Sequence, residues 1–256
     1  MNRIDSFRED LKAKRAVKII AGISNFDMEN IKKVIMAATE AKASAVDISA
    51  SREVIEYARS LTDLPIFVSS VVPEELAEAV RMGADAIELG NFDIMYRSGS
   101  RISASEVLEL TKKTLSLIDK DSTFMSVTIP GHISVSEQID LARELEALNI
   151  DLIQTEGSAM VADSEKHEGA RGLLETAQIS IANTIEIARN TTIPVMTSSG
   201  ITPTTASLAF ASGASAIGVG SCINKLDSTL AMVAVARSLV EIASRDSISK
   251  KDAVLA

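Results

Sequence analysis

The sequence predicts a closed (β/α)₈ barrel, and three observations predict it. The chain has 256 residues, close to the roughly 250 that one such barrel uses. Eight short apolar runs alternate along it with longer amphipathic stretches. Helix-start and helix-stop signals fall between those runs, with no linker that would divide the chain, so residues 1–256 are expected to form one domain.

The runs expected as strands are Val17–Ala21, Ala45–Ile48, Ile66–Ser69, Ala86–Leu89, Phe124–Ile129, Leu152–Thr155, Pro194–Thr197 and Ala216–Val219. Nearly continuous apolar strands are buried on both faces and belong to parallel sheets. Ahead of them, residues 1–15 carry Ile4, Phe7 and Leu11 among mixed charges. This segment lacks the apolar core of a signal peptide and reads as a short helix at the bottom of the barrel.

Between the strands, Asp27 stands where an N-cap should precede a helix over Met28–Lys42. Ser103 with Glu106, and Ser134 with Glu137, form capping boxes. Pro73 and Pro203 occupy first helical positions, where the missing amide hydrogen costs nothing. Gly83 and Gly213 mark helix ends just before the next strand. A long helix is expected at Leu226–Ile242, its Ala- and Val-rich stretch Leu230–Ile242 packed on the barrel or serving as an oligomer face. Repeated strand–helix units with right-handed crossovers give an open doubly wound sheet or a barrel, and eight evenly sized units favour closure.

Composition narrows the function. Apolar residues make up 46% of the chain and charged residues 24%, which excludes disorder. The net charge of −9 and the lack of Trp speak against nucleic acid and anionic lipid as partners. No apolar run reaches the roughly 20 residues of a membrane span. The single cysteine, Cys222, fits a reducing compartment and is expected to pack as a small apolar residue.

Two insertions, Asn91–Arg101 after the fourth strand and Gly157–Gly172 after the sixth, fall on the C-terminal face, where barrels build their sites. They carry Arg97, Arg101, Lys166, His167 and Arg171, each by itself best taken as a solvated loop residue, together suggesting a lid for an anion. The turns after the last two strands read Thr197-Ser198-Ser199-Gly200-Ile201-Thr202-Pro203 and Gly218-Val219-Gly220-Ser221-Cys222-Ile223. Phosphate favours convergent backbone N–H groups and helix starts, and this fold recurrently binds it there. Ser199, Gly200, Gly220 and Ser221 are therefore the expected phosphate-binding residues, with Ser221 opening a short helix; tight turns without a ligand are the other reading. A small anionic ligand, phosphate or a phosphorylated metabolite, is the expected partner, with no cofactor.

Lys18, Asp47 and Glu88 interrupt apolar strands. A strand side chain faces either the helix layer or the barrel interior, and an unpaired ion against the helices costs several kcal/mol. Inward placement puts Lys18 on a face with Ile20 and Gly22, Asp47 with Ser49, and Glu88 with Gly90. These three are the candidate catalytic residues: Lys18 as proton shuttle or Schiff-base amine, and Asp47 or Glu88 as its acid–base partner. In the competing reading Lys18 is only the counter-ion of a buried network that fixes strand register. Asn25, Asn91, Thr128, His132, Gln154 and Glu156 are further pocket candidates, with His132 equally able to cap the helix after it and the two asparagines equally at home as turn residues. An oxygen-rich metal set of Asp47, Glu88, Glu156 and His132 has no ligand spacing to single it out.

The runs Lys18–Phe26, Val46-Asp47-Ile48, Ile87–Asp93, Ile153–Gly157 and Gly218-Val219-Gly220-Ser221 resemble the hypothetical chloroplast reading frame (ycf) family numbered twenty-three, over nearly the whole chain. The resemblance implies a phosphate-binding barrel in a plastid stroma or a cyanobacterial cytosol. It carries no activity and hands over no catalytic residues, so an enzyme of isomerase, epimerase, aldolase or synthase type, a metabolite sensor and a scaffold remain the alternatives.

Overall fold

In the computed structural model, which describes residues 2–96, 99–157 and 169–254, eight parallel strands close into a barrel in sequence order. They are β1 (Ala16–Ile20), β2 (Ala45–Ser49), β3 (Ile66–Ser70), β4 (Ala86–Leu89), β5 (Phe124–Ile129), β6 (Leu152–Thr155), β7 (Val195–Thr197) and β8 (Ala216–Val219). Every strand residue is buried, as parallel strands between a core and a helix layer must be. Closure comes from β1 pairing β8, with Ala16 opposite Ala216 and Lys18 opposite Gly218. The expected strands hold to within one residue. β7 starts after Pro194, which lacks an N–H and offers the ladder only its carbonyl, taken by the Ile153 amide at 3.0 Å.

The helices follow their capping chemistry. α1 spans Arg3–Lys12, α2 Met28–Ala41, α3 Arg52–Leu61, α4 Pro73–Arg81, and a single turn, α5, Asp93–Tyr96. Then come α6 (Ala104–Leu117), α7 (Val135–Ala147), α8 (Gly169–Asn190), α9 (Pro203–Ala211), α10 (Ser221–Asn224) and α11 (Thr229–Val254). Asp27 caps α2 by accepting the Glu29 and Asn30 amides, and both predicted capping boxes form. α11 begins at Thr229, three residues later than expected, because the Ser228 hydroxyl accepts the Ala231 amide at 3.1 Å and sets the start there. Met232, Ala236, Leu239 and Ala243 on α11 are buried, so its apolar stripe serves the core. Among the described residues no helix is long and apolar enough to cross a membrane.

α1 is the bottom plug. Its Ile4, Phe7 and Leu11 pack in one cluster with Ala16, Ala45, Phe67, Ala86, Phe124, Leu152, Met196 and Ala216, one inward residue from each strand. Phe7, Phe67 and Phe124 meet edge to face, with ring centroids 4.9, 5.7 and 5.6 Å apart. Above this dry layer the interior turns polar, and that change places the site. Replacing Phe7 by alanine opens a cavity in the plug. The expected cost is about 3 kcal/mol, read as a lower urea midpoint at unchanged slope.

Candidate functional site

The first polar layer holds the three strand charges together. Lys18 Nζ donates to Asp47 Oδ2 at 2.6 Å and to Glu88 Oε2 at 2.5 Å, and all three side chains have no exposed surface. Strand register makes this contact: β1 sets Ile20 beside Asp47, and β3 sets Ser69 beside Glu88. The remaining carboxylate oxygens are also occupied. Ser69 Oγ donates to Asp47 Oδ1 at 2.6 Å, while Gln154 Nε2 and Asn91 Nδ2 donate to Glu88 Oε1 at 2.8 and 3.2 Å. From below, the Phe67 ring faces the ammonium, its centroid 5.0 Å from Nζ.

Burial works against the charge of Lys18, but Asp47 and Glu88 outweigh it and hold its pKa above the ordinary lysine value. Burial pushes Glu88 above the usual carboxylate range; Lys18 opposes that rise and Asp47 reinforces it. Lys18 is thus a fixed cation, and Glu88 is a carboxyl biased toward holding a proton.

Over this layer opens a cavity of ≈ 480 Å³ at the C-terminal mouth. Its walls are the turns after β1, β7 and β8, with Asn25, Ser199, Gly200, Gly220 and Ser221, and Asn91 from the turn after β4. The two predicted anion turns therefore face one space. Ser199 and Gly200 take consecutive positive φ values of 69° and 75°. At Gly200 a Cβ would lie 2.3 Å from the Leu173 carbonyl oxygen and 2.8 Å from the Ala177 nitrogen of α8, so only glycine lets the turn seat on that helix. Gly220 caps α10, whose first amides have no partner within the helix. Lys225, just beyond α10, is exposed on the rim and has no ion-pair partner among the described residues.

The sequence reading missed the stitching that shapes this mouth. Asn224 Nδ2 donates to the Ile20 and Ala21 carbonyls, each at 3.2 Å, fastening α10 to the end of β1. Asn30 donates to the Asn224 carbonyl at 3.1 Å, and Asn25 donates to Asn30 Oδ1 at 2.8 Å. Asn25 thus lines the cavity as part of a turn network. Ser198 was passed over too; it lines the cavity while its Oγ donates to the Gly218 carbonyl at 3.3 Å. The sequence signal available was only the Asn-Lys pair that ends α10.

The other predicted residues divide between two places. Thr128 and Gln154 join the buried layer, 3.1 Å apart through Oγ1 and Nε2, and Gln154 Oε1 is buried with no hydrogen-bond partner. Such an orphan acceptor costs about 1–3 kcal/mol unless something donates to it. Glu156 and His132 stand apart, above β5 and β6. Glu156 Oε1 accepts from the Tyr96 hydroxyl and from the Gly131 amide at 3.3 Å, and the His132 ring lies 5.4 Å from Tyr96. Arg101 lies over the Tyr96 ring, 5.0 Å from its centroid. The oxygen-rich metal set therefore does not assemble: Lys18 takes two of its carboxylates and Tyr96 a third. Among the described residues no three His, Cys, Asp or Glu side chains are grouped to hold a metal ion. Arg171 pairs with Glu175 one turn along its own helix, and Arg97, Lys166 and His167 lie outside the described residues. Cys222 is half-buried, with burial pushing its thiol up to about 12, so it stays protonated and unreactive.

The family described as "Protein of unknown function (DUF561)" matches residues 1–249. The chain belongs to that family. Similar curated relatives, each named uncharacterized protein ycf23, come from Cyanophora paradoxa and Pyropia yezoensis. The first is 41% identical over 233 residues, spanning 91% of this chain and 93% of the relative. The second is 34% identical over 224 residues, spanning 88% and 81%. Among solved structures, this DUF561 chain resembles 3-hexulose-6-phosphate synthase from Salmonella typhimurium, with a TM-score of 0.64 at 11% identity, covering 90% of this chain and 99% of that one. It also resembles GGGPS from Thermoplasma volcanium (TM-score 0.63, 16% identity, 95% and 98% covered) and thiamine phosphate pyrophosphorylase from Pyrococcus furiosus (0.58, 15%, 92% and 98%). At such identities the likeness is one of fold.

Removing the ammonium while keeping its volume tests the buried layer. Lys18→Met leaves two buried carboxylates without their cation, and the expected loss is about 3–5 kcal/mol at neutral pH. Without Lys18 nothing opposes the burial that raises the Glu88 pKa, so it rises further in the variant's folded state. The Glu88 contribution to stability is therefore fully present below the ordinary carboxylate pKa and lost as pH rises through the raised value. Chemical denaturation across pH should show the deficit against wild type shrinking as the solution is acidified; a pH-independent deficit contradicts the assignment.

Proposed function

We propose that this barrel binds a small phosphorylated metabolite at its mouth and acts on it by proton transfer, as an isomerase or epimerase does. The observation that carries the reading is the joint placement of two glycine–serine turns on one polar cavity, directly over a buried cation–carboxylate layer. Ser199, Gly200, Gly220 and Ser221 would hold the phosphate through backbone N–H groups and hydroxyls, with Lys225 adding charge at the rim. The solved structures of similar fold include proteins named for phosphorylated compounds, which agrees with this use of the mouth.

Within this reading each buried group has a role. The fixed charge of Lys18 stabilises negative charge that develops on the substrate, at no reorganisation cost. Glu88, which burial biases toward its protonated form, would exchange the proton with the substrate. Asn91 both lines the cavity and donates to Glu88 Oε1, so rotation of its amide on substrate binding would open Glu88 to the ligand. A substrate hydroxyl would supply the donor for Gln154 Oε1. Aldolase- or synthase-type carbon–carbon chemistry fits the same cation; in its Schiff-base form Lys18 would first have to pass a proton to Asp47 or Glu88, because its neighbours hold it protonated at rest.

The complete burial of Lys18, Asp47 and Glu88 favours a second reading, a non-catalytic metabolite sensor in which the charges are structural. The net charge of −9 supports a partner set without nucleic acid or anionic membranes. The plastid-type relatives support a stromal or cyanobacterial cytosolic location. Self-association stays part of the proposal.

Two substitutions separate the readings. Ser221→Asp sets a carboxylate among the phosphate-facing amides and should weaken inorganic phosphate, measured by titration calorimetry, by more than about ten-fold. Unchanged affinity removes the mouth as the anion site. Mass spectrometry of the small molecule that co-purifies supplies the substrate. On it Glu88→Gln should lower kcat by about 10²–10⁴ while affinity stays within about two-fold. Binding without turnover in the wild-type protein establishes the sensor.

A further inference from the structure

A second cavity, of ≈ 380 Å³, opens at the other end of the barrel, between α1 and the segments leading into β7 and β8. Its ionic lining is three cations, Arg8, Lys12 and Lys14, against one carboxylate, Asp151. That excess of positive charge stands out on a chain of net charge −9.

Asp151 does not neutralise it. Its Oδ2 already accepts Lys120 Nζ at 2.6 Å and the Met125 amide at 2.9 Å, and its Oδ1 accepts Arg8 at 3.2 Å. Lys12 and Lys14 have no ion-pair partner among the described residues. Nor do helix carbonyls fill the role, because α1 closes on itself: the amides of Ala13, Lys14 and Arg15 bond the carbonyls of Glu9, Leu11 and Asp10, each at 3.0 Å. Two lysines thus lack a counter-anion at the mouth of a formed cavity, whose inner wall is apolar through the buried Leu11, Phe124 and Val195. The volume lies within the range of small-molecule sites.

We propose that this cavity is a second ligand site, distinct from the mouth, for a small organic anion: a phosphate or carboxylate head held by Lys12 and Lys14, on an apolar body lying along Leu11 and Phe124. The head supplies the missing counter-charge, and the body fills the cavity beside Leu11 and Val195, next to the Arg8 guanidinium that lies 4.8 Å over the Phe124 ring. The site stands whether or not the mouth binds phosphate.

Phenyl phosphate, benzoate and inorganic phosphate serve as probes, followed through backbone amide shifts of the full chain. Phenyl phosphate and benzoate should produce saturable shifts at residues 11–14 and 213–215, and inorganic phosphate, which has no apolar body, weaker ones. These shifts should persist in Ser221→Asp, designed to weaken anion binding at the mouth, and their affinity should fall roughly ten-fold in Lys12→Glu/Lys14→Glu, where both positions are exposed. Lys14→Glu by itself gives an intermediate loss and guards against misfolding of the double variant. No saturable shift at this end with millimolar probe overturns the proposal, and so does an affinity that the charge reversals leave unchanged.

Discussion

The contact of one ammonium with two carboxylates, sealed inside eight apolar strands, is the constraint on which the other features depend. An unpaired ion there would cost several kcal/mol, and such a cluster needs short contacts and a hydrogen bond to each carboxylate oxygen. Lys18, Asp47 and Glu88 meet that condition with Ser69, Asn91 and Gln154. The contact also fixes register. A one-residue slip of β1, β2 or β4 would turn its charge out into the helix layer, away from both partners. Apolar pattern by itself is a weak guard against such slips in strands buried on both faces, and a slip that separated these ions would carry the cost of unpaired buried charge.

From that layer the barrel becomes directional. Below it the aromatic trio of Phe7, Phe67 and Phe124 excludes water, and Phe67 presents its ring to the ammonium. α1 is part of this arrangement, since Phe7 completes the dry floor. Above it, small and hydroxylated residues fill the interior. Gly90 is glycine because a Cβ would lie 1.9 Å from Thr128 Oγ1, the same hydroxyl that meets Gln154. Side chains therefore fill the centre, and open space begins only where the strands give way to the turns. The mouth cavity and its position follow from this filling.

The sequence carried the layers well and the loops poorly, for a physical reason. Strand alternation assigns each side chain a face, which is how the inward turn of Lys18, Asp47 and Glu88 could be read from single interruptions of apolar runs. Capping boxes are local chemistry over four residues, and Ser103 and Ser134 were legible on that account. Alternation says nothing of depth, so the complete sealing of the three charges beneath the mouth was not legible. Loop placement depends on contacts far apart in the chain. The bond from Asn224 to the Ile20 carbonyl spans 204 residues, and no local pattern announces it. For the same reason alternation could offer Glu156 only as one more pocket candidate, whereas Tyr96 draws it into a separate cluster with His132.

The charge state of the central layer bounds the chemistry this barrel can perform. A nucleophilic amine must be neutral when it attacks, and two adjacent carboxylates hold Lys18 charged. Each unit by which a lysine's pKa exceeds the working pH charges about 1.4 kcal/mol to the neutral form. An ordinary lysine already carries several units of that handicap at neutral pH, and here the handicap is larger. The same fixed charge favours any step that gathers negative charge on a substrate, because the field is set before the substrate arrives. Under the proposed function Glu88 complements it: a carboxyl that burial pushes toward its protonated form can hold and return a proton beside a cation that its neighbours keep charged at rest. The resting layer therefore suits proton movement, whereas covalent capture would first require Lys18 to pass a proton to a neighbouring carboxylate.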